Sequence, residues 1–133
     1  MLITRLRIPL YLLMLAVIPA AQAQEGHPLV GTWLGTWGEN DTFLTVIMNW
    51  DGQRISGIVN PGPQASEIES ASLDSSGWQV ELHTLMPDDN GNSADFILEG
   101  QLANITSRTR SLDGRFRYAG QRGNFTLTRQ SGP

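Results

Sequence analysis

Between Leu29 and Arg129, apolar side chains recur at every second position in short runs, and each run ends near glycine, proline, asparagine or aspartate. Alternation with period two marks a strand with one buried face, because successive side chains point to opposite sides of a sheet. Leu29, Gly31, Trp33, Gly35 and Trp37 share one face of the first run. Leu44, Val46, Met48 and Trp50 share a face of the second, and Ile55, Gly57 and Val59 a face of the third. Between these two, Asp51-Gly52 predicts a two-residue hairpin, since both residues tolerate the positive φ of a type I′ turn. Asn60-Pro61-Gly62-Pro63 stops the third run, because proline has no N–H to give a ladder. A weaker strand follows over residues 67–73. Asp74-Ser75-Ser76-Gly77 then turns the chain, and Trp78, Val80 and Leu82 align opposite Gln79, Glu81 and His83.

Beyond a polar loop at residues 87–92, Ala94, Phe96 and Leu98 line a strand that extends through Gly100 and Leu102. Asp113-Gly114 predicts a second tight turn, with Phe116 and Tyr118 on one face after it. Phe125 and Leu127 point inward in the last run. From residue 24 onward no long stretch shows the 3.6-residue period of a helix. The expected fold is all-β: a small antiparallel up-and-down barrel of eight or nine strands. Closure removes the exposed edges that so many strands would otherwise leave.

Residues 1–23 follow a different pattern. Arg5 and Arg7 precede an apolar run from Ile8 to Ile18, and Ala21-Gln22-Ala23 supplies a small-x-small site. This is the form of a secretory signal peptide, cleaved after Ala23. The apolar run is shorter than the ~20 residues that span a bilayer. The expected domains are a signal peptide at 1–23 and one barrel at 24–133, exported to the periplasm or secreted, with no membrane span after cleavage.

Composition narrows the chemistry. Cysteine is absent, so an exported chain here has neither disulfides nor zinc–thiolate sites. All nine basic residues are arginine; after cleavage seven of them face 13 acids, a formal charge of −6 that argues against nucleic acid as a partner. Residues 24–99 carry 12 of the acids and only Arg54, whereas residues 100–133 carry six arginines and only Asp113. Two readings follow: acid–arginine pairing between neighbouring strands, or a dedicated anion site.

Gly31-Thr32-Trp33 near the start and Phe125-Thr126-Leu127-Thr128-Arg129 at the end resemble the calycin group of barrels, the lipocalins, fatty-acid-binding proteins and avidins. The resemblance implies a barrel end closed by Gly31, Trp33 and Arg129, with the arginine across the indole and Arg122 as the fallback. A second Gly-x-Trp at Gly35-Thr36-Trp37 leaves open which tryptophan takes that place. The order of Gly-Thr-Trp, Asp51-Gly52, Ile55-Ser56-Gly57 and Gly77-Trp78 is similar to avidins. The biotin-contacting positions are not matched: Gly35, Glu39, Val59 and Pro61 stand where an avidin has polar ligand residues.

Candidate binding residues fall into two sets. If Asp113-Gly114 forms a two-residue turn, Arg108, Arg110, Arg115 and Arg117 share one strand face; a three-residue loop splits them into two pairs. Such a quartet suits a carboxylate, a phosphate or an acidic partner, unless it is an outer face neutralised by Glu67, Glu69, Glu81, Asp95 and Glu99. Trp37, Trp50, Trp78 and Tyr118 are the candidate lining of an apolar ligand site, although a barrel this small also fills with its own side chains. The acidic loop at residues 88–92 lacks the glycine placement and flanking helices of a calcium motif. No metal, cofactor or catalytic residue is nominated: the chain has His27 and His83 but no nucleophile elbow, zinc-binding histidine pair or phosphate loop. Asn40, Asn104 and Asn124 head glycosylation sequons, which matter in a eukaryotic secretory route.

Three functions fit these features. The first is a binding module that holds a hydrophobic or anionic small ligand at the open barrel end, near residues 60–63 and 87–92. The second is a periplasmic protein-binding module such as a protease inhibitor. Bacterial inhibitors of secreted metalloproteases are similar in size and form and act through an N-terminal segment, but carry a cysteine pair absent here. The third is a barrel enzyme, which needs His83 and a carboxylate to converge in a pocket.

Overall fold

The computed structural model describes residues 26–130; the signal-peptide reading falls outside them. Eight antiparallel strands follow one another as β1 (Gly31–Trp37), β2 (Thr42–Trp50), β3 (Ile55–Val59), β4 (Ser66–Asp74), β5 (Gln79–Pro87), β6 (Ser93–Ala103), β7 (Ser111–Tyr118) and β8 (Gln121–Arg129). Each pairs with the next, and β1 pairs with β8 to close the barrel, as the alternation predicts. Among the described residues there is no helix.

The inward positions fill the barrel. Trp33, Leu44, Val46, Met48, Val59, Leu82, Phe96, Leu98, Leu112 and Leu127 are all at most 1% exposed. Among the described residues Thr84 is the one buried polar side chain of this core, and its hydroxyl donates to the Glu67 carbonyl at 2.6 Å. In β4 the register slips between Ile68 and Ser70. This bulge lets Ile68 and, beyond it, Ala71 and Leu73 all face inward.

Two turn expectations need correction. Residues 51–54 form a four-residue turn instead of a two-residue hairpin, because the Asp51 carboxylate accepts the backbone N–H groups of both Gln53 and Arg54, at 2.8 and 2.9 Å. Those bonds, from Arg54 first and then Gln53, hold Asp51 below its usual pKa. Asp113-Gly114 is no turn at all; it lies within β7, with Gly114 directly opposite Gly100 of β6. Leu112, Gly114, Phe116 and Tyr118 form one unbroken period-two face, and a straight strand keeps them together. Glycine is needed at 114 for close approach: a Cβ there would sit 2.0 Å from the Glu99 carbonyl oxygen. The tight hairpin lies further on, at Ala119 (φ 50°) and Gly120 (φ 81°), between Tyr118 and its partner Gln121.

Candidate functional site

Strand direction sorts the connections into two ends. Residues 27–30, the β2–β3 and β4–β5 turns and the long β6–β7 loop meet at one end. The β1–β2, β3–β4, β5–β6 and β7–β8 connections meet at the other.

The first end is closed. Residues 27–30 cross it as a strap, with Leu29 fully buried. The Trp33 indole N–H donates to the Leu29 carbonyl at 2.9 Å. Arg110 donates to the carbonyls of Pro28 (2.8 Å) and Ile105 (2.9 Å). Arg129, opposite Trp33 in the ladder, donates to the Val30 carbonyl at 3.3 Å. Its stem lies against Gly31 (φ 135°), where a Cβ would come within 3.0 Å of it. Burial, and then the charge of Arg129, lowers the pKa of Arg110. Thus Trp33, not Trp37, takes the place at the closed end, and Arg129, not Arg122, lies beside it.

The second end is the mouth. Trp37, Phe96, Phe116 and Tyr118 face inward just below it, and Trp37 packs edge to face against the other three. Trp37 stands at centroid distances of 5.2, 4.9 and 5.5 Å from the other three rings in turn. The Tyr118 hydroxyl donates to the Pro87 carbonyl at 2.7 Å. Burial, with the charges of Asp88 and Asp89, raises the Tyr118 pKa. The Trp37 indole N–H is buried and has no acceptor among the described residues. Directly alongside, a cleft of about 610 Å³ opens between the β1–β2 turn and β8. Gly38, Glu39 and Asn40 line it on one side and Gln121, Arg122, Gly123 and Asn124 on the other, with the Phe116 ring against it. Gly123 makes room for that ring, since a Cβ there would meet it at 2.7 Å.

The two candidate sets do not assemble as expected. Of the aromatics, Trp37 and Tyr118 reach the mouth. Trp50 and Trp78 sit at the closed end, where Trp50 packs on His27 at 5.4 Å and Trp78 occupies the β4–β5 turn with φ 54°. The arginine quartet is dispersed because the turn that would gather it does not form. Arg108 lies in the β6–β7 loop and Arg110 anchors the strap. Arg115 and Arg117 project from the outer wall, Arg115 opposite Glu99 and Arg117 at 3.6 Å from it. This is acid–arginine pairing between neighbouring strands. The mouth residues missed in the sequence are Gly38, Asn40, Gln121, Gly123 and Asn124, with Arg122 noted only as a partner for Trp33. Ala119-Gly120, the turn that places β8 beside the cleft, lacks the usual Asp-Gly or Asn-Gly signal.

His83 meets Asp95 at 2.9 Å and Glu69 at 3.9 Å on the convex outer wall. This trio is open to water, with the histidine side chain one-third exposed. Asp88, which accepts the N–H groups of Asn90 and Asn92 at 2.9 Å each, shapes its own loop. Among the described residues no three metal-ligating side chains cluster in a way that could hold an ion. No protein-family model, curated protein or solved structure matches the chain.

Proposed function

We propose that this protein is an exported binding module that holds a small, mainly apolar ligand at the barrel mouth, with an acceptor or anionic group on that ligand. The observation that carries the reading is the buried N–H of Trp37, without an acceptor among the described residues, at the end where its neighbour Gly38 and its ring partner Phe116 line an open cleft. A buried donor without an acceptor costs about 1–3 kcal/mol, and a ligand oxygen removes that cost. Phe116 supplies apolar surface to the same cleft, while Arg122 and Asn124 supply further donors. The loops at residues 60–65 and 88–92 belong to the same end, in line with an opening there. The strap at residues 27–30 is tied down by three side chains, which disfavours a role for it in blocking a protease.

The test uses 1-anilinonaphthalene-8-sulfonate, an apolar ring system with an anionic group. The expected result is saturable binding with loss of tryptophan emission, weakened about 10-fold by Arg122→Ala or Trp37→Phe, the scale of one lost polar contact. Binding that is absent, or indifferent to both substitutions, overturns the reading.

A further inference from the structure

The outer wall of the barrel has two unlike halves. Over β4–β7 it is charged, with Glu69, Asp95, Glu99, Asp113, Arg115 and Arg117 among its outward side chains. From Asn124 in β8, across β1 and β2, to Ile58 in β3, the outward positions of the strands carry no charge. The ladder makes this half continuous. Leu34 stands opposite Thr45 and Thr128, Thr36 opposite Phe43 and Thr126, and Ile47 opposite Thr32 and Ile58. Phe43 is 85% exposed, and Leu34 and Ile58 are about 40% exposed. Beside Phe43 lies a depression of about 520 Å³ lined by Leu34, Gly35, Thr36, Leu44 and Thr45.

We propose that this uncharged wall binds a second copy of the same chain about a two-fold axis, with Phe43 of each copy seated in the depression beside Leu34 of the other. Charge selects the partner. The chain is acidic, with a formal charge of −4, so two copies meeting through their charged halves set carboxylate against carboxylate. The uncharged half meets itself without that repulsion. Shape agrees, because a two-fold contact requires one patch to hold both the knob and the hollow it fills. A lipid surface is a poorer fit, since the chain as a whole is acidic and the basic residues at the border, Arg115 and Arg122 beside Asn124, are offset by Glu67 and Asp113. Four strands ~4.8 Å apart and seven residues of ~3.3 Å rise give a face of roughly 19 by 23 Å. The two copies together then cover of the order of 900 Å² of projected wall, which suits a weak, concentration-dependent dimer.

Sedimentation equilibrium of the protein from about 1 to 500 µM is the test, a span that brackets weak association. The expected result is a monomer–dimer equilibrium that Phe43→Glu weakens about 30-fold or more, as for a central aromatic contact. Because Phe43 is exposed, the variant keeps the native circular dichroism and melting temperature. Glu81→Gln, in the middle of the charged half, leaves association unchanged. A protein that stays monomeric throughout overturns the proposal, and so does a dimer indifferent to Phe43→Glu. Binding of the monomer to lipid vesicles through Phe43 overturns it as well and gives the patch to a membrane instead.

Discussion

Trp33 and Trp37 lie four residues apart on one strand and one inward face, yet they serve opposite ends of the barrel. At the closed end Trp33 has no exposed surface, and its N–H is satisfied by the Leu29 carbonyl. At the mouth Trp37 is partly exposed, and its N–H has no acceptor among the described residues. The chain therefore supplies its own plug at one end and leaves the other incomplete. Stability is concentrated where the strap carbonyls and the Trp33 N–H are paired, and the capacity to bind where a buried N–H is not.

The same substitution at both tryptophans is the sharpest way to break this comparison. Trp33→Phe leaves a gap in the core and strips the Leu29 carbonyl of its donor, a loss of about 2–4 kcal/mol. For a domain of this size that lowers the melting temperature by the order of 10 °C. Trp37→Phe removes a donor that had no partner, so stability stays within about 1 kcal/mol of the parent while probe binding weakens. Equal losses from the two substitutions, read by thermal or urea unfolding, would falsify the distinction between the ends.

The arginines sharpen it at a smaller scale. Arg110→Ala cuts two charged hydrogen bonds to the strap and the β6–β7 loop and costs about 2 kcal/mol, with faster amide exchange at Leu29. Arg122→Ala at the mouth removes an exposed side chain and changes stability by less than about 0.5 kcal/mol. A strap whose exchange is unaffected by Arg110→Ala means that the closed end is held by Leu29 packing and the bonds from Trp33 and Arg129 instead.

The barrel was legible in the sequence because its signal is repeated: eight runs of alternating residues each point to the same inward face. Register is less legible. Asp113-Gly114 carries the strongest local turn signal in its region, but the inward face from Leu112 to Tyr118 outweighs it and moves the turn to Ala119-Gly120. That displacement disperses the arginine quartet and brings Arg122 and Asn124 to the mouth. Trp50 and Trp78 were misplaced for a related reason. Alternation says that a tryptophan faces inward, but which end it occupies depends on strand direction and length. Phe43 was visible as an aromatic residue; its exposure depends on its facing outward opposite Thr36.

The smallest expected effect separates the two ends by pH. His27 packs on Trp50, and its Nδ1 accepts the Leu29 N–H at 3.1 Å, which requires the unprotonated nitrogen. Burial lowers the His27 pKa, so on acidification the unfolded chain takes up its proton first. The closed end is at full strength above the ordinary histidine pKa near 6.5 and weakens as pH falls below it. Tyr118 at the mouth acts in the opposite direction. Burial and then Asp88 and Asp89 raise its pKa, so its contribution is complete below the ordinary tyrosine pKa near 10 and fades above it. His27→Asn keeps an oxygen able to accept the Leu29 N–H but does not titrate, so the difference between its curve and the parent's isolates His27. Melting temperatures taken from pH 7.5 to 5.5, roughly one unit either side of the histidine value, should fall less in the variant than in the parent. Superimposable curves would mean that the strap holds whatever the charge of His27, and that the closed end owes its tightness to Trp33 and Arg110 instead.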